Sequence, residues 1–520
     1  MPVRPWIVAS IIGLLAVAAS HLDRARAQGA GPEMLTSQLR VSTWASQLTL
    51  PIAMAFIDRD VALVLEKNSG RVRRVTAGSV GDTVLDLGVN NASERGLLGI
   101  ALHPDFPSNP GVYLYWTCRS LEVPADAFSP DEDECLDEHM FLPDTDQVLQ
   151  VPLRGHRIDR FNWDGSTLLY EQNLLKLRTF QSDGGPLPPG QGDEGQPARG
   201  NHDGGVLRFG PDGKLYAVIG DSGRRGQLQN LVDGPGGPTR DDDQFGGPEP
   251  DADHLTGAIL RLNDDGSTPA DNPFFAAGAS MPPSIGESVQ RIYAYGLRNC
   301  FGMAFDPKSG DLWEQENGDD SFSEINRVEP GFNSGWTQIM GPPERIAQFK
   351  AIETTVTPDP ADPFASSYFG LQQLRWSPEN IAGSAAEAMS RLFMLPGAHY
   401  SAPELSWKYE VAPGGIGFVN GRSLGPQFDG DLFVAAARPF LQGGHLFRLQ
   451  LTGNRRSIGV DDPRLEDRVA DNLHKWEITE SESLLVGRNF GVGTDVQMGP
   501  DGRLYIVSLD HGAIYAISRR

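Results

Sequence analysis

The sequence predicts an all-β fold, a six-bladed β-propeller with long inserted loops, on three observations. The first is a recurring phrase, an apolar pair, a tight turn carrying Asp or Gly, then alternating apolar residues. It reads Phe209-Gly210-Pro211-Asp212-Gly213-Lys214-Leu215-Tyr216 and again Met498-Gly499-Pro500-Asp501-Gly502-Arg503-Leu504-Tyr505. Looser copies run from Phe305 to Trp313, from His103 to Tyr115 and from Phe428 to Phe433. Pro fixes φ, Asp caps locally and Gly accepts positive φ, so each copy is a hairpin signal. The second observation is composition: 60 Gly and 39 Pro are spread along 520 residues, as many short strands joined by turns require. The third is spacing. The copies lie roughly 70 to 120 residues apart, too wide for a short-repeat array and suited to blades carrying insertions. With Leu50–Val75 as the opening blade the count reaches about six. A large sandwich is the alternative.

The N-terminus bears on compartment. Arg4, an apolar run from Trp6 to Ala19 and the small residues of Ala25-Arg26-Ala27 have the order of a secretory signal peptide over residues 1–27. The other reading is a membrane anchor, for which the run falls short of about 20 residues. The expectation is a periplasmic or secreted protein cleaved near Ala27, with no stable membrane insertion after processing. Residues 28–45 are then a flexible lead and 46–520 one domain. A formal charge of −24 argues against nucleic acid, whose phosphates such a surface repels, and is compatible with neutral substrates and divalent cations. Of the three cysteines, Cys118 and Cys135 flank an acidic insert and either bridge or stay reduced, and Cys300 has no partner if they bridge.

Long segments at 122–146 and 233–253 read as insertions, and 358–391 is weakly patterned with helical character near Ala382–Arg391. The acidic residues Asp241, Asp242, Asp243, Glu249, Asp251 and Asp253 are either a calcium-binding loop or a solvated surface. No phosphate-loop ending and no nucleophile elbow appears.

The stretch Asn201-His202-Asp203-Gly204-Gly205, a hairpin, then Gly220-Asp221 carries the chemistry. A short hairpin brings its ends together, so the His202 imidazole and the Asp221 carboxylate can meet. A carboxylate accepting from one ring nitrogen fixes the tautomer and leaves the other nitrogen as a base. The bland alternative is a structural hydrogen bond.

With these residues in view, the chain resembles the soluble pyrroloquinoline-quinone-dependent glucose/sorbosone (aldose sugar) dehydrogenases from about Leu50 onward. The carriers are Glu94–Gly99 with His103–Phe106, the His202 hairpin, Leu255–Leu262, Asp271–Phe274, Tyr295–Asn299, Glu324–Asn326 and Pro330–Trp336. The resemblance implies a six-bladed propeller with PQQ and calcium as cofactors, a sugar substrate and an external electron acceptor. It implies His202 as the base that takes the C1 hydroxyl proton and Asp221 as its orienting carboxylate. Arg298, Asn299 and Arg438 fall on cofactor contacts, and Glu94 lies beside the substrate. Gly318 and Asp319 fall on the carbonyls that hold calcium. The chain departs from the family pattern at Leu297, Cys300 and Phe301, and at Val492-Gly493-Thr494-Asp495-Val496, where two arginines are replaced. Arg488 lies nearby in shifted register. Two other readings follow: a calcium-dependent lactonase-like hydrolase using Asn299, Asn317 and Asp319, and a non-catalytic propeller that binds a partner or saccharide.

Overall fold

The structure, a computed structural model, describes residues 31–91, 94–118, 155–177, 202–221, 255–354, 357–358, 368–369, 382–437 and 443–520. The hairpin phrase of the sequence is the link between the first and second strand of a blade. In two copies the turn closes identically: Gly210 N donates to Lys214 O (2.9 Å) and Gly499 N to Arg503 O (2.8 Å). Gly213 and Gly502 take φ of +72° and +81°, a region that costs a side chain energy. Asp212 and Asp501 each accept the following tyrosine's hydroxyl, Tyr216 at 3.0 Å and Tyr505 at 2.9 Å.

These hairpins build six antiparallel four-stranded blades in chain order. Blade 1 runs Pro51–Asp58, Val61–Glu66, Arg71–Thr76 and Ser79–Asp86; blade 2 runs Leu97–Leu102, Gly111–Thr117, His156–Trp163 and Leu168–Leu177. Blade 3 comprises Leu207–Phe209, Leu215–Ile219, Ala258–Leu262 and Ile292–Tyr295, and blade 4 Gly302–Phe305, Leu312–Glu316, Ser321–Val328 and Leu405–Tyr409. Blade 5 is Pro413–Phe418, Leu432–Ala436, His445–Leu451 and Leu485–Arg488. Blade 6 takes Gly493–Met498, Leu504–Ser508 and Ala513–Arg519 from the C-terminus and its outermost strand, Leu39–Ala45, from the N-terminus. Each blade's first strand touches the first strands of its two neighbours, so the ring is closed.

That closure corrects one expectation. Residues 28–45 were expected as a flexible lead, but Leu39–Ala45 pairs with Ala513–Arg519 and Glu33–Met34 pairs with Leu485–Arg488. The physical reason is the edge: a three-stranded last blade would leave a row of unpaired backbone groups that the N-terminal strand satisfies. The helix expected near Ala382–Arg391 is Ala385–Arg391, capped by the Ser384 hydroxyl on Glu387 N. The segments 1–27, 122–146 and 233–253, with their acidic cluster, lie outside the described residues.

The core lies between blades. In Val61–Glu66, Leu63 and Leu65 face blade 2, whereas Ala62 and Val64 face blade 6. Alternation along one strand thus feeds two interfaces, and the middle strands read as continuous apolar runs. The innermost strands crowd one another around the channel. A Cβ at Gly99 would lie 1.9 Å from Gly205 O, and one at Gly414 2.4 Å from Gly493 O. Cys118 is disulfide-bonded and Cys300 is a free buried thiol; Cys135 lies outside the described residues. Among the described residues no helix is long and apolar enough to cross a membrane.

Candidate active site

The hairpin at the inner edge of blade 3 pairs Leu207 with Ala217, so the chain before it and the chain after it run side by side. His202 and Asp221 sit at those two ends. Gly220 is required between them, because a Cβ there would lie 2.3 Å from His202 O. His202 itself has φ +65°, a conformation the flanking contacts must hold in place. Its Nδ1 lies 2.6 Å from Asp221 Oδ1, and Asp221 Oδ2 accepts Trp336 Nε1–H at 2.7 Å. Burial alone would raise the Asp221 carboxyl, but His202, Arg298 and the indole N–H outweigh it and hold it below the usual carboxylate range. An ionised acceptor on Nδ1 puts the ring proton there and leaves Nε2 with its lone pair, and Nε2 has no hydrogen-bond partner among the described residues.

Glu94 joins this corner to the channel. Its Oε2 accepts His202 N at 2.7 Å and Asn299 Nδ2 at 3.2 Å. Burial raises the Glu94 carboxyl, against the pull of His202. Glu94 and Lys67 line a cavity at the top of the channel, with Gly204, Asn317 and Val492–Thr494 among the other lining residues. The Lys67 ammonium donates to Arg95 O at 2.5 Å, and burial pushes it down to about 8 in spite of Asp203 and Glu94. Deeper in the channel Arg208 pairs with Asp495 at 2.7 Å. Beyond that pair a wider opening leads out of the opposite end.

The other expected site residues divide. Asn299 is buried and its Oδ1 has no partner. Arg298 is also buried, with Nη1 on Asn317 O (3.0 Å) and Gly318 O (2.9 Å) and Nη2 on Asp319 Oδ1 (2.7 Å). The Asn317 amide nitrogen donates to Asn299 O, Gln315 Oε1 and Pro413 O, which fixes the side chain, and Asn317 lines the channel cavity. Arg488 is exposed and paired with Glu33, so it supplies no charge to the channel. Arg438 lies outside the described residues.

For an anionic quinone the cavity wall offers one cation, Lys67, while the unpartnered Asn299 oxygen beside Glu94 accepts an N–H or O–H rather than meeting a carbonyl. Calcium does not fit the Asn317–Asp320 loop, because the Gly318 carbonyl already accepts from Arg298 and the Asp319 carbonyl from Lys475 Nζ at 3.1 Å.

The sequence profile of the glucose/sorbosone dehydrogenases matches residues 48–127 and 193–366, across the Glu94, His202, Arg298 and Asp319 positions. The chain belongs to the glucose/sorbosone dehydrogenase family. It is 31% identical over 301 residues to quinoprotein glucose dehydrogenase B of Acinetobacter calcoaceticus, a match covering 57% of this chain and 52% of that protein. The chain thus matches about half the length of that relative. Two solved structures share the fold. The soluble aldose sugar dehydrogenase of Escherichia coli in its apo form has TM-score 0.55 at 19% identity, covering 93% of this chain and 100% of that one. The PQQ-bound aldose sugar dehydrogenase of Streptomyces coelicolor has TM-score 0.52 at 22% identity, covering 93% and 99%.

Sequence reasoning gave no role to four groups that the family member's structure brings to the site: Lys67, Trp336, Arg208 with Asp495, and Lys475. Lys67 had a faint signal, a charge directly after the buried strand Val61–Glu66. Trp336 stood inside a quoted motif, but nothing in spacing tied it to Asp221, 115 positions away.

Proposed function

We propose that the protein oxidises the C1 hydroxyl of an aldose to the lactone, with pyrroloquinoline quinone as hydride acceptor, and passes the electrons to an external acceptor. The observation that carries this reading is the His202 imidazole, steered at Nδ1 by Asp221 and unengaged at Nε2. Nε2 takes the hydroxyl proton, and the Asp221 carboxylate stabilises the imidazolium that results. Lys67 would hold the quinone through a carboxylate, and the Asn299 oxygen, an acceptor, would take an N–H or O–H from a bound molecule. When bound, the quinone supplies the carbon that accepts the hydride from C1. Glu94 anchors the His202 backbone and turns its carboxyl toward the cavity rim, where a sugar hydroxyl can pair with it. The proposed setting is the periplasm or the cell exterior, from the character of residues 1–27.

The test is reconstitution of the full chain with pyrroloquinoline quinone, followed by dye reduction with a panel of aldoses. Sugar-dependent reduction together with saturable quinone binding is expected; the absence of both would sink the proposal. A second reading, a propeller that binds a saccharide or partner without turnover, draws on the wall at Val492–Thr494, which carries no cation. His202→Ala separates the two: a pure binder keeps its affinity, and a dehydrogenase loses turnover while still folding.

A further inference from the structure

The tight loop Asn317–Asp320 is gathered around two cations of the chain itself. Lys475 Nζ donates to Asp319 O at 3.1 Å and to Asp320 Oδ1 at 2.9 Å. Arg298 donates to Asn317 O and Gly318 O and pairs with Asp319 Oδ1. The two carbonyls that the family resemblance assigns to calcium, those of Gly318 and Asp319, therefore each receive an N–H from a positively charged side chain.

By distance alone a metal would be at home here. Oxygens of Asp319, Asp320 and Glu353 lie within 4.8 Å of one another, and Glu353 Oε2 is buried without a partner. Glu353 Oε1 accepts Asp320 N (3.1 Å) and Ser321 Oγ (2.8 Å). Calcium demands about six to eight oxygens at close range, and its place among these is taken by nitrogen donors. The charge is matched as well: one ammonium plus one guanidinium carry the two positive charges of one divalent ion. Lys475 is buried, its ammonium 5.7 Å from the Trp476 ring centroid.

The geometry points to a protein-supplied substitute for the metal: Lys475, together with Arg298, fills the cation position of the Asn317–Asp320 loop, which holds its shape without a divalent ion. This goes beyond the dehydrogenase reading and does not depend on it, since it concerns binding and stability rather than turnover.

The experiment compares the full wild-type chain with Lys475→Met, Lys475→Arg and the double variant Lys475→Met/Asp320→Asn. Melting is followed in EDTA and in millimolar calcium, and terbium luminescence sensitised by the neighbouring indole reports ion binding directly. The wild type and Lys475→Arg are expected to melt at the same temperature with and without calcium. Lys475→Met is expected to melt lower in EDTA and to recover several degrees once calcium stands well above its dissociation constant. It should also gain terbium luminescence that Asp320→Asn removes. Should Lys475→Met fail to fold in EDTA, Lys475→Gln is judged by the same criteria. Stabilisation of the wild type by calcium that Asp320→Asn abolishes overturns the proposal. So does a lysine-free variant with no calcium or terbium response, or an arginine variant that becomes calcium-dependent.

Discussion

Two imidazole–carboxylate pairs lie buried in adjoining blades, and what separates them chemically is whether the second ring nitrogen is engaged. His156 in blade 2 bonds Asp203 through Nε2 at 3.0 Å and the Thr117 hydroxyl through Nδ1 at 2.9 Å, so both ring nitrogens are committed. His202 bonds Asp221 through Nδ1 and keeps Nε2 unengaged. His156 is fully buried, and burial lowers its basicity despite Asp203. His202 retains slight exposure and a strained backbone, and its N–H is held by a carboxylate that lines the channel. A histidine next to an aspartate is thus a structural device by default. One ring nitrogen left unengaged is what a base requires.

The contrast can be broken most sharply at His202. His202→Ala should lower turnover of the folded variant by about 10²- to 10⁴-fold, the usual worth of a positioned general base, and should also cost stability because Asp221 loses a buried donor. Asp221→Asn keeps the shape but reverses the hydrogen bond, forcing the proton to Nε2. A comparable loss in kcat is expected, with KM for the sugar nearly constant. If either variant turns over normally, the two pairs are equivalent and the assignment of a base fails.

His156→Ala tests the other side. It leaves Asp203 buried without its donor and should cost about 1–3 kcal/mol of stability, read as a lower denaturant midpoint. Turnover of the folded variant should stay near wild type. Lys67→Met probes the cavity between the pairs: quinone binding should weaken about tenfold, the worth of one charged hydrogen bond. In the wild type that affinity should fall as pH rises through about 8, where the Lys67 ammonium loses its proton, and in the variant this pH dependence should vanish. The smallest effect concerns the whole domain. Burial raises Glu314 to about 8 and Glu324 and Glu410 to about 7, above the ordinary 4.5. The native state then binds more protons than the unfolded chain between those limits. The stability these acids contribute is full below about pH 4.5 and lost as pH climbs through 7 to 8. Melting at pH 5 should exceed melting at pH 8.5.

The sequence by itself determined the blade, because the turn chemistry of Pro211-Asp212-Gly213 and Pro500-Asp501-Gly502 is local and each strand's alternation is read within a few residues. It also determined that His202 and Asp221 meet, since one short hairpin separates them. Tertiary structure alone decided the rest. Leu39–Ala45 looked like a lead because its partner, Ala513–Arg519, stands at the opposite end of the chain. Trp336 reaches Asp221, Arg208 reaches Asp495 and Lys475 reaches the Asp319 carbonyl only because ring closure brings distant blades to a common axis. A cation's role depends on which oxygens surround it, and those oxygens come from segments more than a hundred residues away. Such neighbours leave no periodic trace in the sequence, so the fold was legible there and the electrostatics of the site were not.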